Sequence, residues 1–186
     1  MKANSNKIKV LRSRFFYSSI LILFVLFLYA HNSSAASGKG LELTISFDKE
    51  EYKKTDPIYI EFKLKNKSKK PVYINKRFHL NSERSAKEDR EVYLSVISPS
   101  NEKLSFDTTS PAETGFPKTD YFVLLESGQE VGSERKQAIK HRFDFKTPGA
   151  YKIIATYQNV YGKEIGLDTF KARLVSKSVT IKIVEE

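Results

Sequence analysis

The stretch from Leu41 to Phe47 reads LELTISF, and its apolar residues fall at every second position. In an extended strand successive side chains point to opposite faces, so this spacing gives one apolar face and one polar face. The stretch from Ile58 to Leu64, IYIEFKL, repeats the pattern. No window of the sequence has a clear apolar stripe with the 3.6-residue period of a helix. The sequence therefore predicts an all-β protein.

Turn-forming residues divide the rest of the chain into similar short segments. Further strands are predicted at 72–75, 91–97, 103–106, 121–125, 138–145, 151–158 and 179–183. Pro, Gly, Asn and Ser between them favour the backbone angles that reverse a chain. About eight or nine strands in roughly 150 residues predict a two-sheet antiparallel β-sandwich. The stretches 76–90, 107–119 and 159–172 are predicted as long loops, which are usually functional or mobile.

Composition excludes several classes of protein. The chain has 186 residues, of which 40% are hydrophobic and 29% are charged, as in an ordinary globular domain. It has no cysteine, so disulfides, thiolate nucleophiles, zinc fingers and iron–sulfur ligation are excluded.

The N-terminal segment has the three parts of an export signal. Residues 1–14 contain five basic residues and no acid, 15–30 are apolar, and small residues follow up to Ala36. The prediction is a signal peptide at 1–36. An uncleaved anchor is the alternative, although an apolar helix of this length would span roughly 24 Å of a ~30 Å hydrocarbon core. In either case the remainder is predicted to be periplasmic, on the cell surface or secreted, with membrane contact only through an uncleaved segment.

The signal also accounts for half of the net charge. The whole chain carries +10, but five of its 32 basic residues and none of its 22 acids lie in 1–36, so residues 37–186 carry +5. Lysine dominates that remainder, whereas nucleic-acid recognition favours arginine. No nucleic-acid partner is predicted. The lysine-rich stretch 63–77 would suit an anionic surface, but a solvated turn and a protected strand edge are the favoured interpretation.

Four short motifs resemble the immunoglobulin-like β-sandwich modules of bacterial exported proteins. They are YKKTDPI at 52–58, LKNKSKKPV at 64–72, LESGQ at 125–129 and FKTPGAY at 145–151. The resemblance implies a single immunoglobulin-like domain at 37–186. It also implies structural roles for Pro148, Gly149 and Tyr151, since Tyr151 is similar to a tyrosine corner. The layout is distantly similar to the bacterial intracellular proteinase inhibitor family.

A search for catalytic or metal-binding patterns gives weak signals. Outside the signal the histidines are His79 and His141, and a metal site needs three or four converging ligands. A partly buried structural role is favoured for His141. The charged run that includes Glu88, Asp89 and Glu91 is interpreted as a solvated loop. No catalytic residue, metal or cofactor is predicted.

The loop residues are the remaining candidates for binding. Aromatic rings on loops supply contact area at low entropic cost, which singles out Phe78, Phe116 and Tyr161 together with Arg77 and His79. The alternative is that each ring packs beneath its loop. The favoured function is an exported, non-catalytic module whose long loops bind an envelope or extracellular protein or polymer. A proteinase inhibitor acting through a loop is the alternative, and a small hydrolase or metal-binding protein is a third hypothesis.

Overall fold

The computed structural model of the protein describes residues 40–83, 91–108, 118–171 and 173–185. It consists mainly of strands along which apolar and polar residues alternate. Two short 3-10 turns, Thr119–Tyr121 and Lys163–Ile165, accompany the strands. In chain order the strands are β1 (Leu41–Phe47), β2 (Glu51–Lys53), β3 (Tyr59–Asn66), β4 (Val72–Asn75), β5 (Val92–Ile97), β6 (Phe122–Leu125), β7 (Glu130–Gly132), β8 (Gln137–Ala138), β9 (Gly149–Gln158), β10 (Arg173–Val175) and β11 (Val179–Val184). The predicted all-β class is confirmed.

The first sheet is built around β3. β1 runs antiparallel to it in an unbroken register, from Leu41 opposite Asn66 to Phe47 opposite Ile60. β7 and β8 share the other side of β3, and both are antiparallel to it. β1 is therefore an edge strand, and β3 lies inside the sheet.

The second sheet is built around β9. β5 pairs with one side of β9, and β11 and β10 follow each other along its opposite side. β2 extends this sheet by pairing in parallel with β11. The separate pair β4–β6 is antiparallel.

The apolar faces predicted from the alternation form the core between the sheets. Ile60, Phe62 and Leu64 of β3 and Ile153 and Tyr157 of β9 are all nearly inaccessible to solvent. They belong to one continuous hydrophobic cluster that also includes residues of β1, β5 and β11. The predicted β-sandwich is therefore confirmed.

The predicted strand at 138–145 is wrong beyond Ala138. The chain turns there, because the amides of Arg142 and Phe143 both donate to the carbonyl of Ile139, at 2.9 and 3.1 Å. This turn leaves His141 exposed, so the expected partial burial of His141 is also wrong. The predicted strand at 103–106 is reduced to an isolated bridge between Ile97 and Lys103.

Three strands of three residues each, β2, β7 and β10, were not predicted. A segment of this length contains too few alternations to distinguish a strand from a turn. The described parts of the predicted loops contain isolated bridges, the start of the 3-10 turn Thr119–Tyr121 and the whole of Lys163–Ile165, with no strand of their own.

Several sequence predictions lie outside the described residues. They are the signal peptide at 1–36, Phe116 and the charged residues Glu88 and Asp89. The described residues belong to one unit, which spans 35–186. Within that described part, no helix has both the length and the apolarity needed to cross a membrane.

Tyr151 ties the turn before β9 to the strand itself. Its hydroxyl donates to the carbonyl of Thr147 at 2.8 Å and accepts from the amide of Thr147 at 3.2 Å. Gly149 in this turn has a φ of 134°, and a Cβ atom there would lie 2.7 Å from the ring of Pro99. The turn therefore requires glycine for both its backbone angle and its close approach to Pro99.

Replacing Tyr151 with phenylalanine is expected to lower the free energy of unfolding by about 1 kcal/mol, because the hydroxyl exchanges two hydrogen bonds with Thr147. Urea unfolding followed by far-UV circular dichroism measures the change. Tyr59→Phe is the matched control, since the Tyr59 hydroxyl has no hydrogen-bond partner in the part of the chain that the structure describes. Equal midpoints for the two variants would contradict the assigned role.

Candidate functional site

Three of the residues predicted to bind a partner follow β4 directly. Arg77, Phe78 and His79 lie in a segment held at several points along its main chain. The Lys76 amide donates to the carbonyl of Tyr121 at 2.8 Å, and the Val92 amide donates to that of His79 at 3.2 Å. Phe78 has a positive φ of 51°, which is uncommon for a bulky residue. The segment is therefore a turn that is held by main-chain hydrogen bonds at both of its ends.

A buried carboxylate lies beneath this turn. Glu91 is only 2% exposed and accepts hydrogen bonds from Arg77 Nε at 2.8 Å, Asn75 Nδ2 at 3.0 Å and the His79 amide at 2.8 Å. Arg77 Nη2 also pairs with it. A charge in such a place is tolerated only when it is paired and hydrogen-bonded. Glu91 thus joins β4, the turn and the start of β5.

The prediction that Glu91 belongs to a solvated loop is wrong. A sequence signal was present, because Val92, Tyr93 and Leu94 follow Glu91 without a polar interruption, and all three are buried. A strand that is apolar on both faces at its start indicates that the preceding residue is also covered. The charged residues at 87–90 concealed this signal.

Arg77 is held between Glu91 and an aromatic ring. Its guanidinium carbon lies 4.2 Å from the centre of the Tyr121 ring, within the range of a cation–π contact. Burial alone would lower the pKa of Arg77, but the hydrogen bond and charge of Glu91, with a smaller contribution from Tyr121, raise it above its ordinary value. Arg77 is therefore a fixed, permanently charged group.

Phe78 points in the opposite direction, into the core. It is 0% exposed, stacks on Phe62 with ring centres 6.2 Å apart, and contacts Tyr157 at 6.0 Å. Its carbonyl accepts a 2.6 Å hydrogen bond from Gln137 Nε2. Of the two interpretations of Phe78, its burial favours packing beneath the loop.

Arg77 and His79 line one cleft of about 640 Å³. Its other walls are formed by residues of three segments: Lys76, Asp120, Tyr121, Ser133, Glu134, Arg135 and Gln137. Its volume is within the range of small-molecule pockets. The cleft is polar and charged: Lys76 faces Glu134 at 3.9 Å, and Arg135 has no carboxylate partner in the part of the chain described. The sequence predictions missed Tyr121, Arg135 and Gln137, because only the fold brings these segments beside the turn.

The structure does not bring Tyr161 into this cleft. Tyr161 is half-buried in the loop after β9, where its carbonyl accepts a 2.9 Å hydrogen bond from Asn159 Nδ2. It is not among the residues that line the cleft. Phe116 lies outside the described residues, so its prediction remains untested.

The two histidines considered for metal binding or hydrolysis lie in different clefts. His79 lines the cleft beside Arg77, whereas His141 lines a second cleft of about 780 Å³ with Phe106 and Arg142. Among the described residues, no group of three or more His, Cys, Asp or Glu side chains is arranged to hold a metal ion. In the described structure, His79 and His141 therefore do not share a site.

Comparison with known proteins does not identify a family. No protein-family model matches the chain, and no curated protein matches it. Among solved structures, the chain is similar to a mutant beta-glucosidase from Listeria innocua in complex with laminaribiose, with 14% sequence identity and a TM-score of 0.33. The alignment covers 77% of this chain and 16% of the beta-glucosidase chain.

Proposed function

We propose that the protein is an exported, non-catalytic immunoglobulin-like module that binds a partner in the cell envelope or outside the cell. The observation that carries this proposal is the fixed position of Arg77 in an open cleft. Glu91 and Tyr121 hold its side chain before any partner arrives, so binding would cost little side-chain entropy. The export signal predicted at 1–36 supports an address outside the cytoplasm.

The charge of Arg135, which is unpaired within the described residues, favours an acidic group on the partner. Glu91 balances Arg77 and Glu134 lies near Lys76, but Arg135 has no acidic counterpart among the described residues. Asp120 is an acid on the same rim, so the attraction is local to Arg135 and does not extend over the whole surface. A carboxylate or phosphate on an envelope protein or polymer fits this arrangement.

The charge reversal Arg135→Glu is expected to reduce partner capture about ten-fold, because an attraction at the rim becomes a repulsion. The measurement is quantitative mass spectrometry of envelope components retained by immobilised wild-type and variant protein. Arg135 is exposed, so the substitution leaves the core unchanged.

Lys136→Glu is the control for this experiment. It makes the same charge change one residue away, at a side chain that pairs with Glu61 at 3.6 Å and does not line the cleft. If wild type and both variants retain the same components in equal amounts, the cleft is not the binding site.

A further inference from the structure

The outer edge of β1 has no partner strand. β1 pairs with β3 along all seven of its residues, and no other strand or bridge pairs with it in the described part of the chain. The other edge strands of the described sheets are shorter or are partly covered by bridges. β5, for example, is bridged at Val92 by Leu80 and at Ile97 by Lys103.

The register shows which main-chain groups of β1 are free. The Ser133 amide donates to the Phe62 carbonyl, and the Ile139 amide donates to that of Ile58, so the even-numbered residues of β3 direct their main chain away from β1. The odd-numbered residues of β3 therefore bond to β1, and their partners are Glu42, Thr44 and Ser46. The amides and carbonyls of Leu41, Leu43, Ile45 and Phe47 consequently point outward from the sheet.

An apolar groove runs along this edge. Its volume is about 430 Å³, and it lies between β1 and the connection from β10 to β11. The apolar residues that line it are Leu41, Leu43, Ile45, Leu174, Val175 and Val179. An added strand would find main-chain partners on β1 and space for apolar side chains beside it.

β1 also lacks several of the features that usually protect a strand edge. Proteins block exposed edges with lysine, proline, bulges or very short strands. β1 contains no lysine and no proline, and its register with β3 has no interruption. Such an edge is open to pairing with another chain.

We infer that the β1 edge is a second binding site, which accepts an extended segment of another polypeptide as an additional strand. The segment carries aliphatic residues at alternate positions and an acidic residue near one end. Three charged residues line the groove: Glu42, Lys67 and Lys177. Glu42 pairs with Lys67 at 2.5 Å, whereas Lys177 has no carboxylate partner within the residues described, so Lys177 favours that acidic residue. This surface is separate from the cleft that contains Arg77.

Two other occupants fit less well. The β1 strand of a second copy has no apolar side chain to place in the groove, because Leu41, Leu43 and Ile45 are already buried in its own core. Residues 30–39 of this chain read AHNSSAASGK, which lacks alternating aliphatic residues. A segment of a different protein can supply both the aliphatic side chains that fit the groove and the acidic residue that Lys177 favours.

The first test uses a synthetic peptide of alternating valine and threonine with aspartate at both ends. Amide hydrogen exchange is followed by NMR in the full-length labelled protein, in a mild detergent that keeps the apolar N-terminal segment in solution. Saturating peptide is expected to slow exchange at Leu43 and Ile45 by about ten-fold or more, and to leave Thr44 and Ser46 unchanged. A peptide of the same composition with its valines grouped together is the control.

Two results would overturn the inference. One is unchanged exchange at Leu43 and Ile45 at millimolar peptide. The other is protection of these amides without peptide that grows with protein concentration, which would assign the edge to a second copy.

A charge exchange at the groove provides the second test. Lys177→Glu is expected to weaken binding of the aspartate-ended peptide about five-fold at low salt and to favour a lysine-ended version. Fluorescence anisotropy of labelled peptides measures both affinities. Lys152→Glu is the control, because Lys152 is exposed on β9 and does not line the groove.

Equal effects of Lys177→Glu and Lys152→Glu would overturn the position assigned to the acidic residue. Arg135→Glu is expected to bind the peptide as wild type does. This variant separates the β1 site from the proposed function of the cleft, because either site can fail its test without the other.

Discussion

Glu91→Gln is expected to lower the free energy of unfolding by about 3 kcal/mol, the lower end of the range for breaking a buried ion pair. The substitution leaves the guanidinium of Arg77 without its carboxylate, and the Arg77 side chain is only 18% exposed. This residual exposure lets water compensate part of the lost interaction, which is why the lower end applies. Urea unfolding monitored by circular dichroism measures the difference from wild type.

Glu130→Gln is the control for the same chemical change at the surface. Glu130 pairs with Lys63 at 2.9 Å, but both side chains are about half exposed, at 45% and 53%. Water already solvates these charges, so their removal is expected to have little effect on the unfolding midpoint. Indistinguishable midpoints for Glu91→Gln and Glu130→Gln would show that the network around Glu91 does not hold the turn.

A double mutant separates the ion pair from the rest of the network. Arg77→Met combined with Glu91→Gln is expected to be less destabilising than the sum of the two single changes, because neither charge is then left without its partner. A strictly additive result would mean that Asn75 and the His79 amide, and not Arg77, carry the contribution of Glu91. Both of these groups donate to the same carboxylate.

The long strands were predictable because their pattern is local. β1, β3 and β9 each present several alternations, and one face of each is covered by the opposite sheet. Alternation alone failed at 138–145, where Ile139, Phe143 and Phe145 are buried from a turn and not from a strand. Apolar spacing reports burial in both cases, but it does not report whether the backbone is extended.

The candidate site was less predictable because its parts meet only in the fold. Arg77 and His79 were identified as loop residues, but nothing near them in sequence indicates Tyr121 or Gln137 as neighbours. The burial of Glu91 depends on Arg77, which lies 14 positions earlier in the chain. Sequence reasoning can identify residues that are unusual within their own segment. The residues of this site are ordinary in their own segments, and only the fold brings them together.

Phe78→Ala is expected to lower the free energy of unfolding by about 3–5 kcal/mol, the range for truncating a fully buried aromatic side chain. The ring fills the space between Phe62 and Tyr157, with ring centres 6.2 and 6.0 Å away. Phe78→Leu, which keeps most of the apolar volume, is expected to cost much less. Thermal and urea unfolding of both variants measure the two costs.

Leu124→Ala is the matched control for Phe78→Ala, since Leu124 is an apolar side chain that is 38% exposed on β6. If Phe78→Ala is as stable as Leu124→Ala but captures less envelope partner, the ring is a contact residue and not part of the core. If Phe78→Ala instead loses both stability and partner capture, the loss of capture follows from the damage to the core. Phe78 lies between Arg77 and His79 in the chain, so the same ring that completes the core also fixes the positions of two residues that line the cleft.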